Sequence, residues 1–369
     1  MEFLSKLILK KQKQLIILLN ISILISRKSY KKGTIMTKSL ITGGAGFIMS
    51  HVARYCIDMG HEVVILDDLS GGFIDNIPNK TRFIKGSITD KDLVEYLFNR
   101  EKFDYVYHGA AYAAEGLSHF IRRFNYTNNL IGSINLINEA VKNEVKCFVF
   151  TSSMSVYGSN YTPFTEDMNL KPEDPYAVSK YAVEADIRAA HELYGMDYVI
   201  FRPHNVYGEN QNTGDRFRNV IGIFMKQIVE GKPMTIFGDG KQKRAFSYID
   251  DTAPYIAKSI ITPAALNQII NIGADQPVTI NSLSKAVANA FGVETVVEHL
   301  PPRFEVFTAY SNHTKAYKIF DIKNTVPLEK GLKKMADWVK KVGIRESKPY
   351  HAIEIDKNLP PSWKTITTK

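Results

Sequence analysis

Apolar positions in the first two hundred residues follow two alternating rhythms. Short apolar runs at 39–41, 62–66, 82–84, 105–107, 147–150 and 198–201 have strand length. Between them apolar residues recur every three or four positions, at 47–59, 90–99, 117–142 and 175–194, as they do on one face of a helix. The boundaries carry stop and start signals. Gly60 closes the first helix, Thr89 or Asp90 caps the second, and Asp174 and Pro175 open the last, which Gly195 ends. Strands that are apolar throughout and alternate with helices predict an α/β fold, a doubly wound parallel sheet covered on both faces. From about Asn205 the rhythm breaks into short strands, 234–237 and 244–249, and two further helices, 279–291 and 314–320. The expected organisation is a Rossmann-type domain over 36–204, with 245–275 returning to it. A smaller lobe is built from 205–244 and 276–345, and Pro360-Pro361 suggests an extended tail over 346–369.

The first strand runs into Thr42-Gly-Gly-Ala-Gly-Phe-Ile-Met-Ser-His51. A glycine turn between a strand and a helix lets the backbone approach a pyrophosphate and aims free N–H groups at it. Gly43 and Gly46 keep the spacing, Phe47 and Ile48 open the helix, and Met49 stands where a third glycine is expected. The spacing alone also suits a purely structural turn. Asp67 and Asp68 end the second strand, Asp67 lying 24 residues after Gly43. An acid there accepts hydrogen bonds from a ribose and repels a 2′-phosphate, so the expected cofactor is NAD rather than NADP. Read blandly, the two aspartates are solvated turn residues before Ser70-Gly71-Gly72.

Composition changes this picture little. The chain has 369 residues, 44% hydrophobic and 23% charged, with a formal charge of +9. Most of that excess sits in residues 1–35, where eight Lys/Arg face a single acid, Glu2. The nearly balanced remainder gives no electrostatic case for a nucleic-acid partner. The apolar run 15–25 is too short to span a bilayer. Residues 1–35 read as an extension, disordered or targeting, with Met36 as a working start, and they are the only expected route to a membrane. Cys56 and Cys147 fall in an amphipathic helix and an apolar strand, so buried thiols and a cytoplasmic location are expected, with no disulfide framework. No metal site is expected.

Tyr176 and Lys180 stand one helical turn apart at the start of the 175–194 helix. Ser152 and Ser153 close the 147–150 strand at the sheet edge where ligands bind in such folds. A phenol with a pKa near 10 is a poor base at neutral pH, but an adjacent ammonium favours the phenolate. Ser153 would hold the same substrate oxygen by a hydrogen bond, giving a general base beside a hydride acceptor. The bland reading is a helix-start tyrosine and a solvated lysine.

Together with Asp67, the stretches TGGAGFI, TSSMSVYG (151–158), YAVSK (176–180) and RPHNVYG (202–208) resemble the extended short-chain dehydrogenase/reductase family, and within it the nucleotide-sugar epimerases. The likeness spans about residues 37–345. It implies a Rossmann domain with a nucleotide-sugar lobe, bound NAD, and a homodimer formed through the 117–142 and 175–194 helices. It implies Tyr176 as base, Lys180 as its partner and ribose ligand, and Ser153 as assistant. By the same likeness Ile88, Ala110, Asn129 and Pro203 meet the cofactor, and Asn205, Asn219, Phe237, Arg244 and Arg303 hold the nucleotide diphosphate. Related dehydratases and decarboxylases carry an acid just after the catalytic hydroxyl, where this chain has Met154 and Ser155. The expected reaction is therefore 4-epimerisation of a UDP-hexose, by transient oxidation at C4 and re-reduction from the other face. The alternatives are a dehydratase or decarboxylase relative, or a catalytically weak binder of NAD or nucleotide sugar. Three departures near the cofactor, Met49, Ser87 and Gly109, support the last, and Met49 is expected to crowd the helix start and weaken cofactor retention. The position that limits the sugar pocket falls on Ala309 or Tyr310, which give opposite answers about N-acetylated sugars.

Overall fold

The computed structural model describes residues 36–215, 217, 219–302, 306–345, 353–360 and 363. The extension 1–35 and Arg303 lie outside the described residues. The compact unit begins at Lys38. In chain order its first half contains β1 (Lys38–Thr42), α1 (Phe47–Asp58), β2 (Glu62–Asp67), β3 (Thr81–Lys85), α2 (Lys91–Glu101), β4 (Tyr105–His108), the short α3 (Glu115–Ser118) and α4 (Arg122–Tyr126), α5 (Gly132–Lys142), β5 (Cys147–Thr151), α6 (Pro175–Tyr194) and β6 (Asp197–Pro203). The second half contains β7 (Val206–Tyr207), α7 (Val220–Val229), β8 (Met234–Phe237), β9 (Lys243–Ala245), β10 (Ser247–Tyr248), α8 (Ala253–Lys258), β11 (Gln268–Ile272), β12 (Pro277–Thr279), α9 (Ile280–Phe291), β13 (Val297–Leu300), β14 (Thr308–Ala309), α10 (Thr314–Phe320) and α11 (Leu328–Val342).

Seven of these strands form one parallel sheet in the order β11-β6-β5-β4-β1-β2-β3. Successive residues feed opposite faces. Ile41, Val63 and Ile65 join one core cluster with Val52 and Cys56 of α1, whereas Leu40, Val64 and Leu66 join another with residues of α2, α5 and α6. This period of two, with both faces apolar, makes the strands read as unbroken hydrophobic runs. The strand order reverses between β1 and β4, and ligands bind at the C-terminal edge beside such a switch point.

Two expected elements differ. The single helix over 117–142 is instead α3, α4, a π-helical turn over Thr127–Ile131 and α5. The π-helical turn and the short helix before it carry two buried amides, Asn125 and Asn129. Asn125 donates to the Pro175 carbonyl (2.9 Å), and Asn129 exchanges hydrogen bonds with the Tyr112 backbone (2.8 and 3.1 Å). Four residues apart, the two amides lie on one helical face, and Asn129 also donates to Asn125 Oδ1 at 2.8 Å. The expected strand over 244–249 is two strands in different sheets, since β9 pairs with β12 and β14 whereas β10 pairs with β7. The helix α11, amphipathic and packed through Leu332, Met335, Ala336 and Val339, has no counterpart in the sequence expectations.

The described part of the tail docks rather than trails. Both carboxylate oxygens of Glu354 accept from Arg123 N and Phe124 N (2.7 and 2.8 Å), and the Trp363 ring meets those of Phe217 and Phe120 at 5.0 and 6.0 Å. Among the described residues no helix is long and apolar enough to cross a membrane. Cys56 and Cys147 are buried and free.

Candidate active site

A cavity of about 1160 Å³ runs along the C-terminal edge of the sheet. One end is the glycine turn. Gly43 has φ +74°, and a side chain there would strike Ala110 N at 2.8 Å. A Cβ on Gly46 would lie 2.9 Å from the Gly43 carbonyl, and one on Gly72 would lie 2.5 Å from that of Ala45. The turn needs glycine for its own closure and for the loop folded over it. Asp67 is buried and accepts from Ala45 N (3.0 Å) and Leu69 N (2.8 Å), which fixes a carboxylate beside the turn. Asp68 accepts from Ser70 N and is exposed. The N-terminus of α1, with no side-chain cap at Gly46, opens on the same space. A bare helix start, a turn without side chains and a fixed carboxylate fit the pyrophosphate and ribose of a dinucleotide.

Met49 does not crowd this end. A Cβ on Gly109 would lie 2.3 Å from Met49 Cγ and 2.5 Å from its Sδ. The methionine therefore occupies the volume that a side chain at 109 would fill. It is 3% exposed and its sulfur accepts from Thr151 Oγ1 at 3.8 Å. Two of the three departures thus compensate each other. Ser87, the third, lines the cavity and pairs with Thr89 Oγ1 at 2.8 Å. The expected overpacking is corrected accordingly.

Tyr176, Lys180 and Ser153, the trio expected to be catalytic, all line the cavity. Asp174 caps α6 by accepting from Ala177 N (2.9 Å), which sets Tyr176 in the first turn facing the cavity. Lys180, one turn on, is 3% exposed. Its Nζ donates to the Thr151 carbonyl at 2.8 Å and lies 5.9 Å from the Tyr176 ring centroid. Burial pushes its pKa down to about 7, against the opposing charge of Glu184. Ser152 and Ser153 take different roles. Ser152 donates to Glu184 at 2.5 Å, and Glu184 is itself clamped by Arg202 (2.6 and 3.0 Å). Ser153 faces the cavity, and its oxygen accepts from Ser155 Oγ (3.0 Å) and Ser155 N (3.1 Å), leaving its own proton free to donate. Glu184, and Ser155 as a partner of Ser153, were absent from the sequence expectations. Glu184 was legible, four residues beyond Lys180 on the same helical face.

At the other end, Pro203, Asn205, Asn219, Phe237 and Arg244 all line the cavity, as do Ile88 and Ala110 toward the cofactor end. Asn129 does not. It holds Tyr112 in place from behind, and its neighbour Asn128 lines the space instead. Asn219 caps α7 through Ile221 N (2.9 Å) and donates to the Val206 carbonyl (3.0 Å). The Arg244 guanidinium donates to the carbonyls of Val306 and Phe307.

Comparison with known proteins agrees with this geometry. The sequence model of the NAD-dependent epimerase/dehydratase family matches residues 39–273. The chain belongs to that family. A UDP-glucose 4-epimerase from Thermotoga maritima, solved with UDP-glucose, superposes with a TM-score of 0.79 at 32% identity, over 83% of this chain and 99% of that one. A protein of Methanocaldococcus jannaschii named as a putative UDP-glucose 4-epimerase is 34% identical, over 82% of this chain and 98% of its own. The dTDP-D-glucose 4,6-dehydratase of Mus musculus is 31% identical, over 85% and 92%. The family member described here is thus an NAD-dependent enzyme of the sugar-nucleotide epimerase and dehydratase group with a Rossmann-type sheet.

Proposed function

We propose that the enzyme is a UDP-hexose 4-epimerase. One observation carries the choice between the two chemistries of the family. The positions that follow Ser153 in the cavity wall are Met154 and Ser155, and neither offers the carboxyl that dehydration requires. Bound NAD supplies the reversible acceptance of hydride from a carbinol carbon. Gly43, Gly46 and the start of α1 would hold its pyrophosphate, and Asp67 its adenosine ribose. Tyr176 takes the proton from the sugar hydroxyl, and Ser153 donates a hydrogen bond to the same oxygen. The Lys180 ammonium favours the phenolate, and a phenolate in turn keeps the proton on Lys180, so the two titrate as a pair. Asn205, Asn219, Phe237 and Arg244 surround the nucleotide diphosphate. Ala309 lines the cavity whereas Tyr310 does not, which supports a wall roomy enough for N-acetylated sugars. Ile131 and Tyr181 are exposed at the expected pairing helices, in support of a homodimer.

Incubation with UDP-glucose, UDP-galactose and their N-acetyl forms, followed by separation of products, tests the reading. Interconversion at C4 is expected, with Tyr176→Phe lowering turnover by about a hundredfold or more, the scale of general-base loss. A 6-deoxy-4-keto product would move the enzyme to the dehydratases.

A further inference from the structure

At the substrate end, starting from His204 in the cavity wall, three titratable side chains form a hydrogen-bonded chain. His204 follows β6 and is 3% exposed, and His313 precedes α10 and is fully buried. Asp275 lies between β11 and β12, its side chain 40% exposed. His204 Nδ1 lies 3.2 Å from the Ala245 carbonyl, His204 Nε2 lies 3.0 Å from His313 Nε2, and His313 Nδ1 lies 2.5 Å from Asp275 Oδ1. The two ends of the chain decide where its protons sit. The Ala245 carbonyl only accepts, so His204 Nδ1 donates. A neutral imidazole has one N–H, so His204 Nε2 accepts and His313 Nε2 donates. The Asp275 carboxylate accepts from His313 Nδ1. His313 therefore carries both ring protons, an imidazolium between a neutral imidazole and a carboxylate. The surroundings agree. Burial, with His313 beside it, pushes the His204 pKa down to about 3. Burial works against ionisation of Asp275, but hydrogen bonds from His313 and Tyr317 and the His313 charge hold its carboxyl below the ordinary value.

What this chain ties together is a sheet. Ala245 ends β9, and its carbonyl also accepts from Asn205 Nδ2 at 3.0 Å. β9 pairs with β12, which begins two residues after Asp275, and with β14, which ends four residues before His313. Arg244 and Ala309, facing each other in register on β9 and β14, both line the cavity. We infer that His313 is a positioning residue, whose proton locks the β12-β9-β14 sheet, and with it Arg244 and Ala309, against the substrate end of the cavity. The inference rests on the nucleotide-sugar reading above. Without the proton, one of the two contacts of His313 would set lone pair against lone pair in a buried site, and the sheet would lose its latch. Tyr176, Lys180 and Ser153 stand on the central sheet and α6, so nucleotide-sugar affinity is the quantity that responds, and turnover is not. The groups facing His313 are His204 at the end of β6, Asp275 before β12, and Tyr317 on α10, whose ring lies 6.3 Å away.

UDP-glucose is the probe, because its diphosphate diester keeps its charge through the neutral range. Its binding to NAD-loaded protein is measured by calorimetry against pH in a Tyr176→Phe background, which prevents turnover. Affinity is expected to fall by about tenfold as rising pH removes the proton held between His204 and Asp275. His313→Gln and Asp275→Asn are expected to bind about tenfold more weakly at neutral pH and to lose that slope, while kcat in the Tyr176 enzyme stays within about twofold. Folded variants that keep the affinity and the slope, or that lose kcat with affinity intact, would overturn the inference. If the variants fail to fold, a flat pH profile in the background protein overturns it, as does a slope that Lys180→Met abolishes, and a slope that persists in Lys180→Met upholds it. Arg244→Gln separates the two levels. Binding that needs Arg244 but ignores His313 sinks the inference alone, and absence of UDP-glucose binding sinks both it and the function from which it was drawn.

Discussion

The two ends of the cavity are built on opposite principles. At the cofactor end the protein presents backbone. Gly43, Gly46 and Gly72 are glycines because any side chain would collide with a neighbouring main chain, and the groups left facing the space are N–H donors at the start of a helix. At the substrate end it presents side chains that already serve the protein. Asn205 holds the Ala245 carbonyl, Asn219 caps α7 and holds Val206, and Arg244 holds Val306 and Phe307. A backbone site tolerates almost no change but depends on one short stretch of chain. A side-chain site of double purpose tolerates change, yet every substitution alters stability and binding together.

The largest effect is expected where a side chain is forced onto the backbone end. Gly43→Ala adds a Cβ at a φ of +74° and 2.8 Å from Ala110 N. The left-handed conformation alone costs about 1–2 kcal/mol, so equilibrium titration should find NAD bound at least roughly tenfold more weakly. Unchanged NAD affinity would show that the turn can open.

Lys180 stands at the junction of the two ends, and its removal acts through charge. Lys180→Met leaves the Tyr176 phenol without an ammonium, so the rise of activity with pH should move upward by about one unit or more. Stability should respond with a definite sign. While Tyr176 keeps its own proton, burial pushes folded Lys180 down to about 7, whereas the unfolded chain holds its proton to the ordinary 10.5. Between those values the unfolded state binds more protons, so raising pH favours the folded state. The urea midpoint of the wild type should rise relative to that of Lys180→Met across this window. Parallel midpoints would mean that Lys180 is charged in the folded protein.

A smaller effect sharpens the contrast inside the cofactor end, where one side chain, Met49, fills the space beside Gly109. Gly109→Leu should cost about 1–3 kcal/mol by overpacking against Met49, and Met49→Gly should leave a void. Combined, they should restore the melting temperature, with a coupling of about 1 kcal/mol or more in a double-mutant cycle. Additive losses would place the two side chains in separate spaces.

The smallest effect probes the double purpose directly. Asn219→Asp keeps the oxygen that caps α7 and loses the amide that donates to Val206, whereas Asn219→Ala loses both. The alanine variant should lose about 1 kcal/mol by denaturant titration, the cost of a missing cap, and the aspartate variant less. A KM for nucleotide sugar that rises in both, although only one is destabilised, would divide the binding role from the structural one.

This division also governs what could be read from the sequence. Six strands of the parallel sheet were legible because each is a short, mostly apolar run, and the glycine turn because its residues are adjacent; the seventh, β11, was read only as part of a segment returning to the domain. Tyr176, Lys180 and Ser153 were legible from one helical turn and one strand end. The break at 119–131 was not, because the apolar spacing runs through it without interruption. The buried amides of Asn125 and Asn129 take partners 50 and 17 residues away, which a linear reading does not join. The substrate end was legible only by family likeness. Its strands β7, β9, β10, β12 and β14 are two or three residues long, too short to show a period, and His204, Asp275 and His313 come together from three separate connections. Met49 and Gly109 looked like two separate faults because nothing in a linear reading joins positions 60 residues apart.

The fit between those two residues also constrains the history of the pair. Starting from glycine at 49 and a large residue at 109, single replacements can reach the present arrangement by two routes. One passes through large residues at both positions, in a space that holds one. The other passes through glycine at both, which leaves a void beside the dinucleotide turn but forces nothing apart. Only the second keeps the helix start in place at every step, so from that starting pair position 109 would have to change first. An ancestor reconstructed with glycine at both positions would be the intermediate this route requires.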